Sequence, residues 1–340
     1  MPKRSAQSKK NDDWRQLQSR IKVKKQTKLA LIVLGAIILI FLFSQLVNLT
    51  KTILSPWSMV DTTRAYRWDD QFNLNLLIKE EHLSVISFNP IEKKVVKIII
   101  PDETYIDLPL DLGKWQVRGI QGVGGNQILK DSISSFLGIP LDGLIQFEGD
   151  LIAISRRNPL GVLMSLSKIK TDLTPLELIK FQMALSSVRY DKIEALDLAD
   201  LNVLESEKLA DGTEVFVSDP FRLDSILSDF ADQTIVTEHK TIAVFNATSY
   251  PQLAQKGTRM IANLGGNVTQ IANATAMSEK SLVLGEPSET LTRLGQIFDS
   301  SCEKKNECDK LSTQSLGLES SRAQINVILG QDFYQRFGNK

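Results

Sequence analysis

Histidine and cysteine are nearly missing from this chain of 340 residues, which has two of each. His82 and His239 lie far from Cys302 and Cys308, so no metal-ligand cluster surrounds the cysteines. The chain lacks a GxSxG turn, a cysteine nucleophile and a Ser/His/Asp set with a second histidine nearby, which excludes the common nucleophilic hydrolases. Internal repeats and low-complexity tracts are missing too, which excludes solenoids. Net charge is also zero, but it is a balance of unlike parts. Residues 1–28 hold ten Lys/Arg against Asp12 and Asp13, and the remainder is correspondingly acidic.

Long apolar runs are absent except for one, LALIVLGAIILIFLF from Leu29 to Phe43. Extended to about residue 49, it is long enough for a transmembrane helix. With the cations all on its N-terminal flank, the expected topology is single-pass, with a cytoplasmic basic tail at 1–28, a span at 29–49 and an extracytoplasmic remainder. The apolar run exceeds a typical signal-peptide core, and NLTKTILSPW is a poor cleavage site. Membrane lipid is therefore the expected partner of the tail, and nucleic acid is not. Cys302 and Cys308 enclose the short loop EKKNE and are expected to form a disulfide, worth on the order of 2 kcal/mol.

Beyond a connector at 50–68, strand and helix signals alternate, so the fold class is α/β. Strands are expected at 72–78, 82–88, 94–100, 143–147 and 151–155, and a helix at 126–137 ends at Gly138. Thr174, Pro175 and Glu177 spell a capping box opening a further helix, and Phe221 to Phe230 reads as another. These elements compose a first domain at 69–230. A second, at 236–336, runs strand 241–245, helix 251–264, strands 267–271 and 281–284, helix 289–298 capped by Ser288, and strand 324–329.

The glycine-rich stretch GIQGVGGNQILK precedes a helix, as phosphate-binding loops do, but it has neither the Walker nor the dinucleotide spacing and reads as a turn. Asp102, Glu103 and Asp107 follow a strand, at the sheet end where open α/β sheets place ligands. Lys79, Glu81 and His82 occupy another turn facing the same rim. Three Asn-x-Thr triplets, at Asn246, Asn267 and Asn273, would be glycan acceptors in a secretory eukaryotic protein, and two of them sit at strand ends, where Asn and Thr serve turns.

Two resemblances follow from these residues. The segment IAVFNATSYPQLAQKGTRMIANLGGNVTQIANA, closed by INVILGQDF, resembles the C-terminal domain of LytR-type envelope proteins. Asn246, Ala247, Thr248, Leu253, Ala254, Leu264, Gly265, Val268, Asn273, Leu329, Gly330 and Asp332 carry that match. VISFNPIEKKVVKIIIPDETYIDLP, continued by GVGGNQILKDSISSFLGIPLDGLIQF, is similar to a LytR-CpsA-Psr domain. That family moves glycopolymers from a polyprenyl pyrophosphate carrier to the cell wall, with arginines around the pyrophosphate and aspartates around Mg²⁺. The chain departs from the pattern where chemistry is concentrated. Asp102 stands in place of an arginine, Glu103 in place of an aspartate, and Lys79, Glu80, Glu81 and His82 in place of Arg-Ser-Asp-Thr. The family's later arginine-rich segment has no counterpart around Arg189.

The resemblance therefore implies an extracytoplasmic envelope protein without catalytic residues, a binding or scaffold protein in glycopolymer assembly. It keeps at most a vestigial ligand cleft at Lys79, Glu81, Asp102, Glu103 and Arg118, under a rim whose carboxylates (Glu80, Glu81, Asp102, Glu103 and Asp107) repel a pyrophosphate. Cell-wall glycan and polyprenyl-phosphate lipid are the ligands this implies, with no cofactor. Two alternatives stand beside this reading. One is a divergent Mg²⁺-dependent phosphotransferase with Glu81 and Glu103 on the metal, and the other is an unrelated anchored interaction module. The sequence identifies no protein partner.

Overall fold

The structure is a computed structural model that describes residues 68–157, 169–300 and 321–338, together with Leu34, Ile38, Leu39, Ile40 and Ser44. Among the described residues no helix is long and apolar enough to cross a membrane. The longest, at Val117–Leu137, carries Arg118, Lys130 and Asp131 and is broken at Gly125. This corrects the expectation of a transmembrane helix at 29–49, and with it the single-pass topology, the membrane anchoring, the assignment of cytoplasmic and extracytoplasmic sides, and the membrane-lipid partner. Of that stretch only Leu34, Ile38, Leu39, Ile40 and Ser44 are described, each helical and exposed. The remainder of 29–49, the basic tail, the connector up to residue 67 and the Cys302–Cys308 pair lie outside the described residues.

The elements below all belong to one compact unit, Pro56–Lys340. Its larger sheet starts with β1 (Leu74–Lys79), β2 (Leu83–Asn89) and β3 (Lys94–Ile100), a meander in antiparallel register. β1 and β2 are almost continuously buried, polar Asn75, Ser84 and Ser87 included, because both faces of the sheet are covered. A small hairpin follows, β4 (Tyr105–Asp107) and β5 (Lys114–Gln116), which leads directly into α1 (Val117–Leu137). β6 (Gly143–Gln146) lies parallel to β1, then come α2 (Leu151–Arg157), β7 (Lys170–Thr171), α3 (Pro175–Ser187) and β8 (Ile193–Asp197), the last parallel to β3. The strand order is β7-β6-β1-β2-β3-β8.

Alternate residues of the sheet feed two cores, as the pleat requires. Leu77, Val85, Val96 and Ile98 meet Ile120, Leu129 and Ile133 of α1, whereas Leu76, Ile78, Ile86 and Phe88 meet Leu178, Phe181 and Leu185 of α3. The capping box of α3 forms as its sequence requires. Thr174 accepts from the Glu177 N–H, and the Glu177 carboxylate accepts from the Thr174 N–H at 2.8 Å.

Residues 151–155 are helical rather than extended. The Glu80 carboxylate accepts the Leu151 N–H at 2.8 Å, and Asp150 accepts that of Ala153 at 3.0 Å. These long-range and local partners satisfy the first helical N–H groups, which apolar alternation alone does not reveal.

A second hairpin, β9 (Leu204–Lys208) with β10 (Glu214–Ser218), and two short helices, α4 (Pro220–Ser225) and α5 (Gln233–Glu238), lead to the smaller sheet. The expected single helix at 221–230 is split, since a separate 3-10 turn forms at Ser228–Phe230. The smaller sheet comprises β11 (Thr241–Asn246), β12 (Asn267–Asn273), β13 (Leu282–Gly285) and β14 (Ile325–Leu329) in the order β12-β11-β14-β13. Its helices are α6 (Leu253–Asn263), α7 (Glu289–Ile297), with Ser288 accepting the Leu291 N–H, and α8 (Gln331–Phe337).

Candidate functional site

The pairing of Leu83 with Ile100 places the β1–β2 turn beside the loop that leaves β3. That loop then receives the start of α1. The Val117 N–H donates to the Thr104 carbonyl at 2.9 Å, and the Arg118 N–H to that of Asp102 at 3.3 Å. The loop carbonyls thus take up N–H groups of the first helical turn and set Arg118 beside Asp102.

A cleft of about 140 Å³ opens where these segments meet, lined by Lys79, Glu80, Glu81, Asp102, Arg118 and Gln121 above the apolar Leu83, Val117 and Leu129. Four of the five residues expected from the sequence, Lys79, Glu81, Asp102 and Arg118, are brought together there. Glu103 is not on the lining; it is exposed, and its carbonyl accepts the Phe216 N–H from β10 at 3.2 Å. Asp107 is also outside, 3.9 Å from Lys114.

Electrostatically the cleft is less acidic than expected. Glu80 is spoken for, with its carboxylate 2.6 Å from Lys97 in a pair that is 13% and 8% exposed, and it also holds the Leu151 N–H. The remaining balance is Lys79 and Arg118 against Glu81 and Asp102, which is neutral rather than repulsive. His82 Nδ1 lies 3.8 Å from Asp102 at the outer edge.

Lys79 is not a free cation. Its ammonium donates to the Gln121 side chain, whose amide donates to Asn126 Oδ1 at 2.7 Å, and Gln146 donates to the same oxygen at 3.0 Å. This chain of amides was not legible as part of a site because Gln121 sits in the glycine-rich stretch read as a turn. In the structure residues 117–124 are helical, and Gly125 alone departs, with φ 72° and ψ −164°, where two helical segments meet. A positive φ of that kind is what glycine tolerates.

The set does not fit Mg²⁺, which asks for several convergent oxygens in near-octahedral geometry. Glu81 lines the cleft and Glu103 does not, Glu80 is bound to Lys97, and no group of three metal-capable side chains occurs among the described residues. No chemical step is derived through a metal.

In the smaller sheet, the residues that carry the LytR-type resemblance build turns and caps. Asn246 Oδ1 accepts the Thr248 N–H and hydroxyl at 3.1 and 2.7 Å, and Asn246 Nδ2 donates to the Tyr250 carbonyl at 2.7 Å. Asp332, at the start of α8, accepts from the Ser281 N–H and hydroxyl and from the Phe333 N–H. The Asn-Ala-Thr and Gly-x-Asp signatures are therefore a side-chain-closed turn after β11 and a clamp between α8 and β13.

Comparison with known proteins agrees in this region. Residues 240–333 match the family described as LytR cell envelope-related transcriptional attenuator. No curated protein matches the chain. Among solved structures, a transcriptional regulator from Enterococcus faecalis aligns at 13% identity and a TM-score of 0.41, over 59% of this chain and 92% of its own. The Bacillus subtilis transcriptional regulator yvhJ aligns at 16% identity and 0.38, over 46% and 94%. A LytR-CPS2A-psr family protein, YwtF (TagT), solved with bound octaprenyl pyrophosphate lipid, aligns at 14% and 0.37, over 50% and 93%. By the family match over residues 240–333, the β11–α8 unit is a domain similar to the LytR C-terminal family.

Proposed function

We propose that this chain acts in cell-wall glycopolymer assembly as a binding protein, and that its β1–β8 lobe is a LytR-CpsA-Psr-like domain that has kept the family's cleft and lost its phosphotransferase chemistry. The observation that carries this reading is the state of Lys79. A pyrophosphate transition state needs cations aimed at developing charge; here Lys79 is held by Gln121, Asp102 stands where the resemblance implies an arginine, and of the two cations lining the cleft only the Arg118 side chain is left to meet a ligand. One guanidinium over an apolar floor of Leu83, Val117 and Leu129 suits a phosphorylated head with an attached hydrocarbon. It supplies binding without the charge neutralisation that transfer demands.

The test is native mass spectrometry of the full chain with octaprenyl phosphate and octaprenyl pyrophosphate. Binding is expected for wild type and is expected to fall about tenfold in Arg118→Ala, as loss of one charge-assisted contact implies. Equal binding by wild type and Arg118→Ala, or none by either, would reject the reading.

A further inference from the structure

We propose a second binding site, for a hydroxyl-rich sugar ring that is uncharged or carries an amine, on the face of the larger sheet opposite the Arg118 cleft. A cavity of about 240 Å³ lies there, lined by Glu80, Glu81, His82, Ser84, Lys97, Ile99, Gly149 and Asp150. The pleat separates the two sites. Leu83 and Val85 face α1, whereas Ser84 and Ile86 face the α3 side, so the two cavities share only the β1–β2 turn through Glu80 and Glu81.

The pointer to a ligand is Ser84. It sits 1% exposed on an interior strand, and its hydroxyl has no hydrogen-bond partner among the described residues although it lines the cavity. A buried hydroxyl left without a partner costs about 1–3 kcal/mol; a ligand hydroxyl satisfies it. The surroundings select the class. Glu80 and Lys97 neutralise each other, leaving the carboxylates of Glu81 and Asp150 as acceptors with no unpaired cation on the lining. Such a surface repels phosphate and accepts from hydroxyl or ammonium donors. The volume is a little below the roughly 300 Å³ at which pockets take drug-sized molecules, which suits one sugar ring.

This site deepens the glycopolymer-binding reading by supplying a place for the sugar, and it rests on that reading only for the choice of ligand. Loss of lipid binding in Arg118→Ala concerns the other face of the sheet.

The experiment titrates the full chain with N-acetylglucosamine by calorimetry, in parallel with Ser84→Ala, Asp150→Asn and Arg118→Ala. Wild type is expected to bind. Ser84→Ala is expected to bind at least tenfold more weakly while melting at the same or a higher temperature, because it deletes an unsatisfied hydroxyl. Asp150→Asn should weaken binding too, Arg118→Ala should leave it unchanged, and inorganic phosphate should not compete. No binding by wild type, equal binding by Ser84→Ala, or competition by phosphate would each overturn the site.

Discussion

Arg293 of the smaller sheet's α7 is fully buried and forms a double hydrogen bond, 3.1 and 3.2 Å, to Asp142, which precedes β6 in the larger sheet. The same guanidinium donates to the Asn73 carbonyl at 3.0 Å, lies 3.7 Å from Asp232 and covers the Phe72 ring at 5.5 Å. The smaller sheet is thus keyed into the lobe that carries the cleft. A buried pair of this kind is weak evidence of net stability, but breaking it strands charge.

Arg293→Met, which keeps most of the volume, should therefore cost about 3–5 kcal/mol, because Asp142 and Asp232 are left buried without their cation. Urea unfolding of the full chain measures it. A loss below about 1 kcal/mol would mean that the pair is dispensable.

Gly138 tests the same joint from the other side. It ends α1 at φ 66°, and a Cβ there would lie 2.8 Å from both Arg259 Nε and Asn263 Nδ2. Those side chains cannot readily retreat, since Arg259 is bound to Asp224 and to the Ser135 and Phe136 carbonyls, and Asn263 to those of Leu137 and Gly138. Gly212, at φ 87° in the β9–β10 hairpin, has only Lys208 Cε at 4.0 Å. Alanine at Gly212 should cost about 1–2 kcal/mol from backbone strain alone, and alanine at Gly138 clearly more. Equal losses would show that the contacts of Arg259 and Asn263 yield freely.

Glu238 caps α7 from outside that helix, accepting the Glu289 N–H at 3.0 Å and the Thr290 N–H and hydroxyl at 2.8 and 2.5 Å. Burial works against its charge, but the Thr290 and Glu289 donors and nearby Lys240 outweigh it and hold the carboxyl below its ordinary 4.5. A depressed carboxyl contributes stability that is present above its unfolded value and is lost as pH falls through the folded one. Glu238→Gln should thus be about 1 kcal/mol less stable near pH 7, with the gap closing as pH drops below 4.5. A gap independent of pH would contradict the charge argument.

Much of this was legible in local pattern. KVVKIII at 94–100, the capping box at Thr174 and the Ser288 cap appear where periodicity and capping chemistry put them. The cleft was legible too, to the extent that Lys79, Glu81, Asp102 and Arg118 come from loops that the meander must bring to one sheet end. What escaped depends on distant partners. Glu80 looked like a rim charge until β3 supplied Lys97, Leu151 starts a helix because Glu80 takes its N–H, and the burial of Arg293 depends on Asp142, 151 residues away in the chain. The apolar run at 29–43 shows the converse: hydropathy alone pointed to a membrane span, and no described helix is long and apolar enough to be one.

The central claim is that the cleft binds and does not transfer. The most direct measurement supplies the purified full chain with lipid-linked oligosaccharide, acceptor glycan and Mg²⁺, and follows release of the polyprenyl carrier. The account predicts release no faster than without protein, and no change in Glu81→Ala or Glu103→Ala. Turnover above that background would contradict it, and its loss in Glu81→Ala would identify a working phosphotransferase in the cleft.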